Sequence, residues 1–484
     1  MTQLRKFLAL TSVAILFFAG PAAQAQGLQL IRDAEMEIFL NDYSRPIFEV
    51  AGLSPDAIEI LIVGDNSFNA FAGGRYMGMN TGTLIIADTP NQIEAVIAHE
   101  AAHLAGGHTA RTQDAIAAAT RPMLLSLVLA AGAIAAGAPE AGIGLLGLGQ
   151  TVGTANFLKY SRGQEATADQ SSITYLDRLG KSSKGALEVW TKLRNSQIIR
   201  GGTINPYRQT HPLANTRLTA LKTRAEASPF FDVKDSEAEI ERLRYIQAKI
   251  HGFLTEPNDA LRRYPLTDQS GPAHYARAVA YYRVAKMDEA ISEIDTLIDE
   301  APENPFFHEL KGQMLFEFGR TEEAIAPHRQ SVRLLPDNAL LRINLGRALL
   351  ATSDPLEIEQ SVQEFKNALL LEGDNSFGWH ELARAYGALD QEHMALLATA
   401  ESRYHVGANA DANQFARRAM AGLQRGTPEW RQASDIILAT QPQGASTPLP
   451  TGVEAPAPRA PAPEKKETPD VPDPTLPHGH KSGL

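Results

Sequence analysis

The 484-residue chain contains no cysteine. That absence excludes disulfides, thiol catalysis, a cysteine-linked lipid anchor and any thiolate metal site. A metal in this chain must be held by histidine and carboxylate. A cationic excess is also missing. Lys and Arg total 45 against 56 Asp and Glu, a formal charge of −11. This balance argues against nucleic acid or anionic lipid as the main partner. Charge of either sign is absent from two stretches, 123–139 and 141–158. What the chain does have is apolar mass: 44% of residues are hydrophobic, enough for two cores.

The first 25 residues read as a secretory signal. Arg5-Lys6 is followed by apolar residues 7–20 and by Ala23-Gln24-Ala25, an A-x-A cleavage site before Gln26. The apolar run is short for a membrane anchor. Loss of Arg5 and Lys6 moves the formal charge from −11 to −13. For a bacterial chain the expected location is the periplasm.

Residues 99–103 read His99-Glu100-Ala101-Ala102-His103. On a helix, positions i and i+4 share a face, so two imidazoles can meet one zinc ion. Glu100 beside them can take a proton from zinc-bound water. Thr89 and Gln92 have capping-box spacing, Pro90 suits a first helical turn, and Gly106-Gly107 gives a stop.

A catalytic zinc takes three protein ligands and keeps one position open. His108 is one candidate. The metzincin pattern wants its histidine six residues after His103, where Thr109 stands, so His108 reads as a surface residue past the helix end. Glu165 is the better candidate. Ser161 and Gln164 suggest a capped second helix, Gly180 its end, and Glu165 and Asp169 share its face at i, i+4. Asp169 can accept the second N–H of a ligand histidine. A third site, Thr210-His211-Pro212 to Arg217, follows Asn205-Pro206 and reads as a loop.

The order H-E-x-x-H, E-x-x-x-D, H-P-x-x-x-x-R, with Asn69-Ala70-Phe71-Ala72 and Asn80-Thr81-Gly82 upstream, resembles the HtpX- and Oma-type Glu-zincin peptidases over roughly residues 30–225. The periplasmic BepA-like branch fits best, because repeats follow the peptidase. The resemblance implies one Zn2+ per chain on His99, His103 and Glu165, with Glu100 as general base. It also implies that His211 stands near the metal, where it can fill the fourth position and hold the enzyme inactive. Arg217 matches the arginine of the third motif, placed to hold a carboxylate or to stabilise an oxyanion.

The expected fold is α+β: a mostly helical zincin-type metallopeptidase domain, then an all-α tetratricopeptide-repeat superhelix. In the first part, 28–52 reads as an amphipathic helix, and 58–63, 69–72 and 83–87 as strands. An edge strand of such a sheet can pair with an extended peptide. The region 121–158, charged only at Arg121 and Glu140, reads as a helical hairpin beside the active site, in peripheral contact with a membrane rather than inserted. Its glycines lack the strand and lysine context of a phosphate loop. Residues 226–272 read as connecting helices.

From 273 the chain repeats. Asn304, Asn338, Asn375 and Asn409 mark unit ends at spacings of 34, 37 and 34. About four tetratricopeptide repeats are expected over 273–438, with 410–438 as a cap. Their concave face would recruit unfolded or unassembled proteins or an outer-membrane assembly machinery. The Pro-rich end, 439–484, reads as a disordered tail in which His478 and His480 have no assigned role. Two functions follow. One is a periplasmic zinc endopeptidase acting on misfolded or unassembled envelope proteins. The other is a chaperone or adaptor acting through the repeats with a latent protease site, against which the intact Glu100 speaks.

Overall fold

The computed structural model describes residues 29–108, 161–199, 211 and 215–441, with 111, 126 and 130 between them. The signal segment, nearly all of 121–158, Thr109 and the tail beyond 441 lie outside the described residues. The chain divides into two compact units, 1–371 and 372–484.

The first unit starts with strand β1 (Leu30–Ile31) and helix α1 (Ala34–Val50). Asp33 caps α1 by accepting from the Met36 N–H, and Gly52 follows with φ +76°. The helix expected over 28–52 is therefore shorter, because 30–31 pair with a strand. Strands β2 (Glu59–Val63), β3 (Ala70–Gly73) and β4 (Tyr76–Asn80) complete a four-stranded sheet of order β1-β2-β4-β3. β2 and β4 run parallel, with Ile62 opposite Met79; the other two pairings are antiparallel.

Residues 83–87, expected as a strand, instead belong mostly to helix α2 (Thr81–Ile86). Side-chain hydrogen bonds explain the difference. Thr81 Oγ1 donates to the Asp65 carbonyl, Thr83 Oγ1 to the Asn69 carbonyl, and Asn80 Nδ2 to Ser67 Oγ. These bonds pull the chain off the sheet directly after β4. A Cβ on Gly82 would lie 2.3 Å from the Asn66 carbonyl oxygen, so the close approach requires glycine. The Asn80-Thr81-Gly82 signature is thus a stitch between a loop and a helix start.

Helix α3 (Pro90–Ala105) carries the H-E-x-x-H pentad and is buried on every face from Pro90 to His103. A helix enclosed all round needs apolar residues all round, and Ile93, Val96 and Ile97 supply them. Each such side chain contributes roughly 1.5–3 kcal/mol when fully buried. The expected Thr89/Gln92 capping box does not form. Asp235, from far along the chain, accepts the Asn91 N–H at 2.9 Å, and Gln92 accepts from the Asp88 N–H. A tertiary cap replaces the local one because the helix end is packed inside the molecule.

Residues 161–178 form helix α4, ended by Gly180 at φ +68°. Ser161 is itself helical, not a cap. Helices α5 (Lys184–Ile199) and α6 (Asn215–Glu226) close the core around α3. The connecting region then gives α7 (Glu237–Leu254) and α8 (Pro257–Arg263). Ser236 and Glu239 form a complete capping box at the head of α7. One side of α7 supplies Leu243, Ile246 and Ile250 to the peptidase core; Ala248 joins the core of the first repeats.

Three helix pairs finish the first unit: α9 (Gly271–Arg283) with α10 (Met287–Glu300), α11 (Pro305–Glu317) with α12 (Thr321–Leu334), and α13 (Ala339–Ala351) with α14 (Pro355–Leu371). The second unit contains α15 (Ser376–Ala388) with α16 (Glu392–His405), and α17 (Asn409–Gly422) with α18 (Pro428–Ala439). Its core is alanine-rich, with Ala400, Ala412, Ala416 and Ala419 around Met420 and Ile437. Asn304, Asn338 and Asn375 each cap the next helix through the side chain. Asn409 does not: it is the first residue of α17, and Ala408 stands at the cap. Among the described residues no helix is long and apolar enough to cross a membrane.

Candidate active site

Helices α3 and α4 bring the predicted residues together. His99, Glu100 and His103 come from α3 and Glu165 and Asp169 from α4, and all are buried. His99 Nε2 and His103 Nε2 are 3.1 Å apart. Glu165 lies 3.3 Å from the second and 3.4 Å from the first. His211, at the far end of the chain segment, places Nδ1 3.0 Å from Glu165 Oε1 and 3.4 Å from His99 Nε2. These four residues are a group able to hold a metal ion. Metal bonds of about 2.0–2.1 Å in a tetrahedron set the donor atoms about 3.4 Å apart, so the donor set fits.

Asp169 faces the other nitrogen of the first histidine, with Oδ1 3.2 Å from His99 Nδ1. Trp190 of α5 packs edge-on against His99 at a centroid distance of 5.5 Å. Ring and carboxylate both border His99. Arg217 Nε donates to Asp169 Oδ2 at 2.5 Å and NH2 to Oδ1 at 2.9 Å, while NH1 stands 2.8 Å from Glu165 Oε2. Arg217 thus contacts both carboxylates. Arg217 also sits in helix α6, not in a loop.

Burial raises Glu165, but hydrogen bonds with His103, His211 and His99 outweigh it and hold the group far below its usual range. Asp169 is lowered in the same way, burial being overcome by Arg217 and His99. Burial lowers His99, yet Asp169 and Glu165 lift it to about 9. Glu100 stands apart: its Oε1 is buried and makes no hydrogen bond among the described residues. It lies 3.7 Å from His211 Nε2. A buried carboxylate oxygen left open beside a donor cluster is suited to taking a proton from water.

His108 corrects the sequence reading. It is 7% exposed, and its Nδ1 lies 2.9 Å from His103 Nδ1. Gly107 at φ +60° reverses the chain, and Gly106 leaves room for the ring: a Cβ there would meet His108 Nε2 at 2.5 Å. Burial and His103 push His108 down to about 4. Sequence reasoning also missed Trp190 and Gln164. The latter does not cap its helix; its amide donates to the His108 carbonyl at 3.1 Å. The Gly106-Gly107-His108 run carries a signal for the fold-back, since two glycines permit a reversal. Nothing in the sequence signals Trp190.

Residues 40–225 match the sequence profile of peptidase family M48. The chain carries an M48 peptidase domain. The beta-barrel assembly-enhancing protease of Escherichia coli strain K12 is 26% identical over 382 residues, which cover 77% of this chain and 76% of the relative. The Yersinia pestis protein of the same name is 25% identical over 385 residues, with the same coverage. A Vibrio cholerae serotype O1 protein, named as a putative beta-barrel assembly-enhancing protease, is 24% identical over 286 residues, 57% of this chain and 58% of that one. The H-E-x-x-H helix, Glu165, Asp169, His211 and Arg217 all fall inside the M48 match, which makes the chain a metalloprotease with repeats behind its peptidase domain.

Proposed function

We propose that the chain is a periplasmic zinc endopeptidase that cleaves misfolded or unassembled envelope proteins. The single observation behind this reading is the convergence of His99 Nε2, His103 Nε2, Glu165 and His211 Nδ1 at metal-ligand spacing beside the open Glu100 oxygen. His99, His103 and Glu165 hold one zinc. Bound there, zinc supplies Lewis acidity for the scissile carbonyl and acidifies a water. Glu100 takes the proton of the attacking water and passes it to the leaving amine. Asp169 sets the tautomer of His99, and Arg217 keeps Asp169 ionised and holds both carboxylates in place.

His211 shares the ligand cluster and borders Glu100, so it occupies the space that a substrate carbonyl and water need. That supports a gate rather than an oxyanion donor. The relatives' name points to beta-barrel assembly, and the matching length extends through most of the repeats. The substrates are therefore unassembled outer-membrane proteins, and the repeats recruit them or their assembly machinery. Metal analysis of purified protein should give one zinc per chain, and Glu165→Ala should lose most of it. Full zinc in Glu165→Ala would remove Glu165 from the ligand set.

A further inference from the structure

We infer that His108 is a positioning residue for the metal ligand His103, through a ring-to-ring N–H···N hydrogen bond. The inference rests on the metal-site reading above and adds to it a residue that holds no metal. The two ligand histidines differ in what stands behind them. His99 has a carboxylate, Asp169, at its Nδ1. His103 Nδ1 has one hydrogen-bond partner among the described residues, His108 Nδ1 at 2.9 Å. With Nε2 turned into the cluster, His103 must carry its proton on Nδ1, and His108 Nδ1 must then accept.

Three local features build this contact. Gly107 adopts φ +60°, which turns the chain back over the end of α3. Gly106 has no side chain where the His108 ring lies. Gln164, next to the ligand Glu165, donates to the His108 carbonyl and ties the fold-back to α4. The ring is edge-on to His103 with centroids 4.9 Å apart, so one imidazole edge faces the other. A neutral acceptor here, instead of a second carboxylate, adds no negative charge to the ligand set. The glycine at 106 that mimics the metzincin pattern thus serves the fold-back.

The test uses the full-length protein and Zn2+ or Co2+ alone, titrated against a chelator of known affinity. His108→Asn keeps an acceptor oxygen near the Nδ1 position, and His108→Leu has nearly the same shape without it. The Asn variant should stay within about threefold of wild type, and the Leu variant should bind about 10–100-fold more weakly, as loss of such outer partners does. The cobalt visible spectrum should shift in the Leu variant only. Equal affinities for Asn and Leu would overturn the proposal, because a packing role treats the two alike. Wild-type protein that binds no metal would instead overturn the metal reading. Should the Leu variant fail to fold, the unaltered protein labelled with 15N-histidine decides. A 15N–15N coupling across the His103–His108 bond is expected in the zinc-loaded form, and a His103 Nδ1–H without it contradicts the inference.

Discussion

At the scale of single residues, the chemistry is set by who faces whom. His99, His103, Glu165 and Asp169 were legible because helical spacing alone puts i and i+4 on one face. His211 and Arg217 were legible only by resemblance, since nothing local ties them to α3. His108 was misread because a residue past a helix stop normally faces water, and only the Gly106-Gly107 reversal sends it back. The same geometry makes His211 testable. Its Nδ1 competes for the ligand cluster, so His211→Ala should raise basal cleavage and self-degradation severalfold with zinc content little changed. Activity and metal assays on the purified variant check this; a sharp fall in activity would make His211 a catalytic donor instead.

At the scale of elements, the asparagine spacing revealed the repeat helices. The sheet was read less well. Tyr76–Asn80 forms a strand without alternation, and Thr83 to Ile86, strand-like in composition, is helical because three side-chain hydrogen bonds to a preceding loop outweigh β propensity. The repeat pairs also hide a titratable group. His328 of α12 packs its ring against Gly312 of α11, and burial, with Arg347, lowers its pKa to about 4. The unfolded chain takes up this proton below about 6.5 while the folded chain does so only near 4. Stability from this group is therefore full above pH 6.5 and is lost as pH falls toward 4, on the order of 3 kcal/mol. Urea unfolding at pH 7.5 and pH 5 should show a larger drop for wild type than for His328→Met. Equal drops would show that the ring is already protonated or solvated.

At the scale of the whole molecule, the sequence suggested a peptidase and a repeat array joined by connecting helices. The first unit is built differently. Lys249 of α7 is buried, with Nζ 2.7 Å from Asp33 and 3.1 Å from Glu35, and the Tyr275 hydroxyl of the first repeat donates to Glu35 at 2.7 Å. Ala34 packs with Leu315, Leu341 and Leu345 of the next two repeats. Tertiary sharing of this kind has no periodic signature, so no sequence pattern reports it. A chain ended at Leu371 should unfold cooperatively and keep hydrolysis of short peptides. A chain ended at Ser270 should lose both, because it uncovers the repeat-facing side of α7. Thermal unfolding and peptide cleavage of the two truncations distinguish this from independent domains, which would leave the shorter chain folded and active.

The central claim is that this chain cuts peptide bonds with Glu100 as the base at a His99, His103, Glu165 metal site. The most direct measurement is the turnover of an unfolded casein-type substrate by wild type and Glu100→Gln, at equal metal content. The Gln side chain keeps the shape and removes the proton acceptor, so turnover should fall by about 10²-fold or more with zinc retained. Near-normal turnover by Glu100→Gln would contradict the account.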